Sequence, residues 1–350
     1  MHVLHPQHPF RIFAVSALAT VAVLVGAAIG KGPSGTLVAL VLIAIEVAFS
    51  FDNAILNARI LSKMSRFWQN MFLTVGALVA VFGMRIVFPI LIVALTANIG
   101  WHEVLNLALH HPGEYAEKLH AAHPAIASFG GAFLMMLALD FFADNTHQVL
   151  WLTRFERQFS KLARNWAPPL ITGALVVIVA LLPFNHHVRT TFIAGIVGVI
   201  VYSVIHGVTE LMGKLEHKQT SGKVKAGGQT GMLAFVSFLY LEILDASFSF
   251  DGVIGAFVVT QDVILIALGL GVGALWVRSL TIFMVRRGTL GRYIYVEHGA
   301  HYTIGLLALL LFVSLFVEVP EVIAGLAGIS IIVASIVASR QAIEAERVKS

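Results

Sequence analysis

The sequence predicts an all-α, polytopic membrane protein, and three observations lead to that fold class. Hydrophobic residues make up 58% of the 350 positions and charged residues only 12%, against about 25% charged in soluble domains. The mean hydropathy is +0.87, so the chain has too little polar surface to cover its apolar residues in water. These apolar residues form long runs separated by short polar loops. Lipid is therefore the expected solvent for most of the chain.

Ten apolar runs have the length that a membrane-spanning helix needs, about 17–25 residues. The fifth and ninth are short, and Pro89 is expected to kink the third because proline removes a helical hydrogen bond. The first is interpreted as a retained helix, since its apolar core is longer than the roughly 7–15 residues of a secretory signal. The runs are 12–30, 36–58, 70–97, 126–143, 168–184, 189–211, 231–258, 262–285, 300–317 and 320–338.

The basic residues orient the predicted helices. Eighteen of the 23 Lys and Arg residues fall in the two termini and in alternate loops, and only Lys31, Lys118 and Arg189 fall on the opposite side. Basic loops stay in the cytoplasm, so both termini are predicted to be cytoplasmic. The formal net charge of +4 then reflects orientation and does not indicate a nucleic-acid partner.

An internal repeat relates the two halves of the chain. "EVAFSFDNAILNA" (46–58) aligns with "DASFSFDGVIGAF" (245–257), and the next predicted helix of each half carries a buried arginine, Arg85 or Arg278. Five helices per half is an odd number, so the second half enters the membrane from the opposite side. The sequence therefore predicts two inverted five-helix repeats, 1–185 and 186–350, an arrangement typical of secondary transporters.

Seven charged residues fall inside the predicted membrane spans and away from the span ends. A lone charge at mid-bilayer costs about 2.5–3.5 kcal/mol on insertion scales. These groups must therefore pair, bind an ion or be protonated. They are Glu46, Asp52, Glu242, Asp245, Asp251, Arg85 and Arg278.

Helical geometry divides the acidic residues between two faces. Residues spaced by three or four positions share a face, which gives one polar stripe in each half, and Asp52 and Asp251 point roughly 120° away from these stripes. A local unwinding at each motif, favoured by Gly252, is expected to bring the faces together, as in discontinuous transporter helices. The stripes are Glu46, Ser50, Asn53 and Asn57 in the first half and Glu242, Asp245, Ser249 and Gly252 in the second.

Two interpretations of the buried charges remain open. In the first, Asp52 pairs with Arg85 and Asp251 with Arg278, which holds the helices together. Three carboxylates then lack a basic partner, namely Glu46, Glu242 and Asp245. In the second, the acidic residues bind a hard divalent cation such as Mn²⁺, Ca²⁺ or Mg²⁺, since these ions prefer oxygen ligands. Asn53, Ser50 and Ser249 would complete the ligand shell. The buried carboxylates could also exchange protons during transport.

Other residues and motifs carry less information. Asp140, at the cytoplasmic end of the fourth predicted helix, is interfacial or part of an access route for the ion. No Ser-His-acid order, phosphate loop, dinucleotide fingerprint or H-E-x-x-H helix is present, and cysteine is absent. The sequence therefore predicts no enzyme and no tightly bound cofactor.

The first motif resembles a known family. A glutamate followed by an apolar stretch and S-x-D-N-A, here residues 46–54, resembles the TerC-type (tellurium-resistance protein C) integral membrane family, and "SFDG" (249–252) is similar to relatives that keep both repeats. The resemblance implies a bacterial inner-membrane protein that exports Mn²⁺ or a similar cation. It assigns the site to Glu46, Asp52 and Asn53, with Asp245 and Asp251 as internal counterparts. Gly252 departs from the pattern where Asn53 has an amide.

Two other functions stay open. The chain could be a membrane scaffold of a tellurite or stress-resistance complex that binds protein partners through the basic loops 144–167 and 212–230. It could also export a small cationic solute. In each case membrane lipid surrounds the helices. In the leading hypothesis the further partners are a divalent cation and protons exchanged for it, and protein partners at the cytoplasmic loops stay open.

Overall fold

The computed structural model describes residues 9–144, 149–162, 166–219, 229, 231–288 and 293–349, with the backbone alone at some helical positions. These residues form helices and no β-strand, so the predicted all-α class is confirmed. The helices are α1 (Pro9–Phe49), α2 (Phe51–Ser62), α3 (Arg66–Leu73), α4 (Val75–Leu78), a π-helix π1 (Val79–Val87), α5 (Phe88–Ala97), α6 (Trp101–His110), α7 (Pro112–Ala143), α8 (Thr153–Leu162), α9 (Ala167–Leu181), α10 (Val188–Gln219), α11 (Gly231–Val259), α12 (Val263–Arg287), α13 (Val296–Val313) and α14 (Glu321–Lys349).

The described residues include eight helices that are long and apolar enough to cross a membrane, so the chain is a multi-pass membrane protein by length and composition. Seven of the predicted spans correspond to one such helix each. The fifth predicted span corresponds to α9, which has 15 residues and is shorter than a bilayer requires. The eight are Ile12–Ala48, Arg66–Ala97, Pro112–Ala143, Val188–Leu211, Gly231–Phe257, Val263–Arg287, Val296–Val313 and Val322–Ala345.

The first two predicted spans are joined in α1, which reverses direction at Gly32. This residue has φ 71° and ψ −164°, a backbone conformation that glycine adopts readily and other residues do not. Both arms of α1 contact α12 near the same level: Ser16 shares a 2.8 Å hydrogen bond with Ser279, and Glu46 packs on Gly273. Thirty residues of straight helix would separate these contacts by about 45 Å, so the arms are antiparallel.

The third predicted span is irregular along its length. Thr74 separates α3 from α4, and the next nine residues are π-helical. Pro89 then lies in the first turn of α5, where its missing N–H needs no helical partner. The predicted kink is therefore replaced by a wider helical turn just before the proline, and Arg85 lies in that turn.

The two sequence motifs differ in backbone structure. The helix is interrupted in the first motif, where Ser50 (φ −98°, ψ 17°) separates α1 from α2. In the second motif α11 continues through Gly252. The predicted local break is therefore confirmed in the first half and wrong in the second.

The chain divides into two compact units, Met1–His123 with Gly227–Arg287 (unit 1) and Pro124–Ala226 with Gly288–Ser350 (unit 2). In unit 1, Gly269 lets α12 approach α1 closely, because a Cβ there would lie 2.7 Å from the Cβ of Leu42. In unit 2, Gly198 similarly faces the Phe129 carbonyl. Such small residues allow close helix packing in membranes. The predicted halves 1–185 and 186–350 concern a sequence repeat and stay a prediction.

Candidate functional site

Five ionisable side chains converge in the interior of unit 1, and none is more than 7% exposed. They come from α1, π1, α11 and α12, which are distant in sequence. In an apolar surrounding such groups persist only when paired or bound to an ion. They are Glu46, Arg85, Glu242, Asp245 and Arg278.

Glu46 and Arg85 form the first ion pair of this cluster. Glu46 lies in the last turn of α1, and Ser50 Oγ donates a 3.1 Å hydrogen bond back to its Oε1. Arg85 donates to the same oxygen from π1. A π-helical turn shifts the side chains that follow it relative to an α-helix, and such turns are frequent at functional sites.

Arg278 is held by a larger set of groups. It donates to both oxygens of Glu242, at 3.1 and 3.0 Å, and it also pairs with Asp245. A further hydrogen bond of 3.1 Å reaches the Phe72 carbonyl, and the guanidinium lies 4.2 Å from the centre of the Phe72 ring. A bidentate carboxylate pair and an aromatic face together fix a guanidinium strongly.

Two asparagines connect α2 to this cluster. Asn53 and Asn57 each donate a 2.8 Å hydrogen bond to Oδ1 of Asp245. Their own Oδ1 atoms are buried and accept no hydrogen bond within the described part of the chain. Asn57 lies on the polar stripe predicted for the first motif, but the sequence did not distinguish it as a member of the site.

A cavity of about 10 Å³ lies among these side chains, close to the lower limit for one water molecule. The predicted pair Glu46 and Asp245 share it, as an ion-binding site between the motifs requires. Its polar lining consists of Glu46, Ser50, Asn53, Arg85, Asp245 and Arg278.

The observed ion pairs correct one sequence interpretation. Glu46, Glu242 and Asp245 were expected to lack basic partners, and each contacts an arginine. The side chains of Asp52, Ser249 and Asp251 lie outside the described part of the structure. Among the side chains that the structure does describe, no three His, Asp or Glu residues are placed to hold a metal ion.

Asp140 belongs to unit 2, where it has its own partners. Tyr202 donates to its Oδ2 at 3.0 Å, and His206 Nδ1 lies 3.2 Å from the same oxygen. With its carboxylate partly exposed, Asp140 is compatible with either predicted role.

A second polar cluster in unit 2 centres on Glu156. This carboxylate is buried and accepts the Trp151 and Leu152 amides at 3.1 and 3.0 Å and the Tyr302 hydroxyl at 2.9 Å. It lines a cavity of about 130 Å³ together with His298. Glu156 was not predicted from the sequence because α8 is short and rich in charged residues, as expected of a solvated loop helix.

Comparison with known proteins places the chain in one family. No curated protein and no solved structure matches the sequence. The family described as "Protein of unknown function (DUF475)" matches residues 51–346, well over half of the chain. That description does not mention TerC, so the resemblance stays a prediction. The chain belongs to the DUF475 family.

Proposed function

We propose that the protein is a bacterial inner-membrane transporter that exports a divalent metal cation, with Mn²⁺ as the first candidate. One observation carries the proposal. Five buried ionisable side chains of unit 1 meet where one helix is interrupted, at Ser50, and another is π-helical, at Val79–Val87. Buried charges beside irregular membrane helices are typical of substrate and ion pathways.

The charge of the cluster favours a cationic substrate. Its described members comprise three carboxylates and two arginines, which leaves one negative charge in surplus. A cation or a proton balances that charge, and an anion does not. The ligands that we propose are Glu46, Asp52, Asn53, Glu242, Asp245 and Asp251, supported by Ser50 and Ser249. Among them Asp52, Ser249 and Asp251 are proposed from the sequence alone.

The proposal includes inverted repeats, whose opposite orientation two contacts in unit 1 support, and cytoplasmic termini, which rest on the basic loops of the sequence. Lys31 and Asp262 form a 2.8 Å salt bridge, and the predicted topology puts both on the outer side. The backbone of Gln229 bonds to Lys63 and Ser65 at 2.8 and 3.0 Å, and all three are predicted on the cytoplasmic side.

A scaffold remains the second candidate, because every described carboxylate of the cluster is paired with an arginine. Such pairs can be purely structural. In that case the partners would bind the basic loops 144–167 and 212–230. Export of a small cationic solute is the third candidate, because the excess negative charge of the cluster would favour any cation. A flux assay in which lysine competes with Mn²⁺ distinguishes this candidate from metal export.

Flux into proteoliposomes tests the proposal. The purified protein is reconstituted with a metal-sensitive dye inside, and Mn²⁺, Mg²⁺, Ca²⁺ and Zn²⁺ are compared with and without a pH gradient. We expect Mn²⁺ flux in the wild type and background flux in Asp52→Asn and Asp251→Asn, with the exposed Glu103→Gln as the control. Wild-type flux in both aspartate variants would exclude the proposed site. Absence of flux together with co-purified soluble proteins would favour the scaffold.

A further inference from the structure

The two motif carboxylates, Glu46 and Asp245, hold matching positions in the repeat and have different surroundings. Both oxygens of Asp245 are engaged: Oδ1 accepts the Asn53 and Asn57 amides, and Oδ2 binds Arg278. Three donors on one buried carboxylate fix its position.

Only one of the two carboxylate oxygens of Glu46 accepts hydrogen bonds from the described residues. Ser50 and Arg85 both donate to its Oε1, and no described residue donates to Oε2. The cause is visible in the repeat: Gly252 stands where the alignment puts the counterpart of Asn53. A Cβ at Gly252 would lie 3.5 Å from Glu46 Oε2, so the amide that Asp245 receives is missing here.

The two arginines also differ in how many described contacts hold them. Arg278 has bidentate contact with Glu242, a bond to the Phe72 carbonyl and the Phe72 ring. To the described residues Arg85 donates one hydrogen bond, to Glu46. Displacing Arg85 from its carboxylate therefore breaks fewer of the described interactions than displacing Arg278.

The helices that carry the two ion pairs differ in regularity. Glu46 lies one turn before the interruption at Ser50, and Arg85 lies in π1. Asp245 and Arg278 lie in α11 and α12, which are continuous helices. Irregular helices have backbone groups that can rearrange at little cost compared with a regular helix.

We infer that the two carboxylates of the site have different roles. Glu46 binds the cation, which takes the place of Arg85. Asp245 keeps a fixed position because its hydrogen bonds hold it. This inference rests on the proposed function. Asn53 supplies the independent observation, because its buried Oδ1 accepts no bond from the described residues and its side chain lines the same cavity. A carboxylate, an amide oxygen and the Ser50 hydroxyl are ligands suited to a hard cation.

Mn²⁺-dependent thermal unfolding of the purified full chain tests the assignment of the carboxylates. We expect Mn²⁺ to raise the unfolding temperature of the wild type, since a ligand that binds the native state stabilises it. Glu46→Gln should abolish that rise, Asp245→Asn should reduce it less than Glu46→Gln does, and the exposed Glu103→Gln should leave it unchanged. A rise retained in Glu46→Gln and lost in Asp245→Asn would overturn the inference.

Two further variants test the inference without removing a carboxylate. Gly252→Asn supplies the missing amide to Glu46, and we expect it to weaken Mn²⁺ binding by about tenfold or more, the effect of one hydrogen bond to a charged group. Gly252→Ala is the matched control, because it adds the Cβ without the amide. Arg85→Gln removes the competing cation and should strengthen Mn²⁺ binding. Unchanged binding in Gly252→Asn, or weaker binding in Arg85→Gln, would contradict the inference.

The flux measurement tests the proposed transport, and the unfolding measurement tests the role of Glu46, so the two can be refuted independently. A Mn²⁺-dependent rise that Glu46→Gln abolishes, without flux in the wild type, removes the proposed transport and supports the inference. Flux in the wild type that Glu46→Gln leaves intact removes the inference and leaves the proposed function standing. No rise in the wild type with Mn²⁺, Mg²⁺ or Ca²⁺ overturns the inference.

Discussion

At the scale of single residues, the buried charges were predictable from the sequence, and their partners were not. Glu46, Arg85, Asp245 and Arg278 are buried as their apolar surroundings predict. Their pairing depends on how helices 33–39 residues apart pack against each other, and helical periodicity contains no information on that. Arg278 therefore has Glu242 as an unexpected partner.

Asp262 is a residue whose surroundings allow a pH prediction. Its Oδ1 accepts the amides of Ile264 and Leu265, both at 3.1 Å, at the start of α12. Lys31 pairs with the same carboxylate. Burial opposes ionisation, but the Lys31 and amide hydrogen bonds outweigh it, so the pKa of Asp262 lies below its ordinary value.

We expect Asp262→Ala to lower the free energy of unfolding by about 1 kcal/mol at neutral pH because the helix cap is lost. Asp262→Asn should lose less, since asparagine also caps helices. A carboxylate with a lowered native pKa stabilises the fold above its unfolded pKa of about 3.9, and this stabilisation is lost as the pH falls through the native value. Denaturant unfolding in micelles at several pH values measures it. A difference between wild type and Asp262→Asn that persists unchanged in acid would contradict this account.

At the scale of helices, composition predicted the apolar spans well and their interruptions in part. The reversal at Gly32 and the break at Ser50 follow from weak helix formers. The π-helical turn before Pro89 was not predictable, because it depends on packing of the whole segment. Gly252 did not break α11, since neighbouring helices can stabilise a glycine that has low intrinsic helix propensity.

Close packing of α12 on α1 leads to a prediction at the same scale. A Cβ at Gly273 would overlap the Cβ of Glu46. That atom is bonded directly to the backbone, so it cannot move away by a side-chain rotation. Gly273→Ala should lower the free energy of unfolding by about 1–3 kcal/mol through overpacking and reduce Mn²⁺ binding. Gly26→Ala is the control, because no atom lies within 4 Å of its added Cβ and alanine favours helix. Equal unfolding temperatures for the two variants would show that the contact is unimportant.

At the scale of the whole molecule, the multi-pass architecture was predictable, and the side of each loop remains to be measured. The chain has no cysteine, so single-cysteine variants carry one label site. We expect Glu117→Cys to react with a membrane-impermeant maleimide from outside intact cells and Arg157→Cys to react only after lysis, as the positive-inside rule requires. Labelling of both from the same side would exclude the ten-span topology.

The composition of the two compact units has a consequence for biosynthesis. Each unit is assembled from two separate stretches of chain, and the second stretch of unit 1, Gly227–Arg287, is translated after the first stretch of unit 2, Pro124–Ala226. Neither unit is complete when the ribosome reaches residue 226. Glu46 and Arg85 therefore enter the bilayer before α12, which packs on Glu46, has been synthesised. Their mutual ion pair is the described contact that can neutralise both charges during that interval.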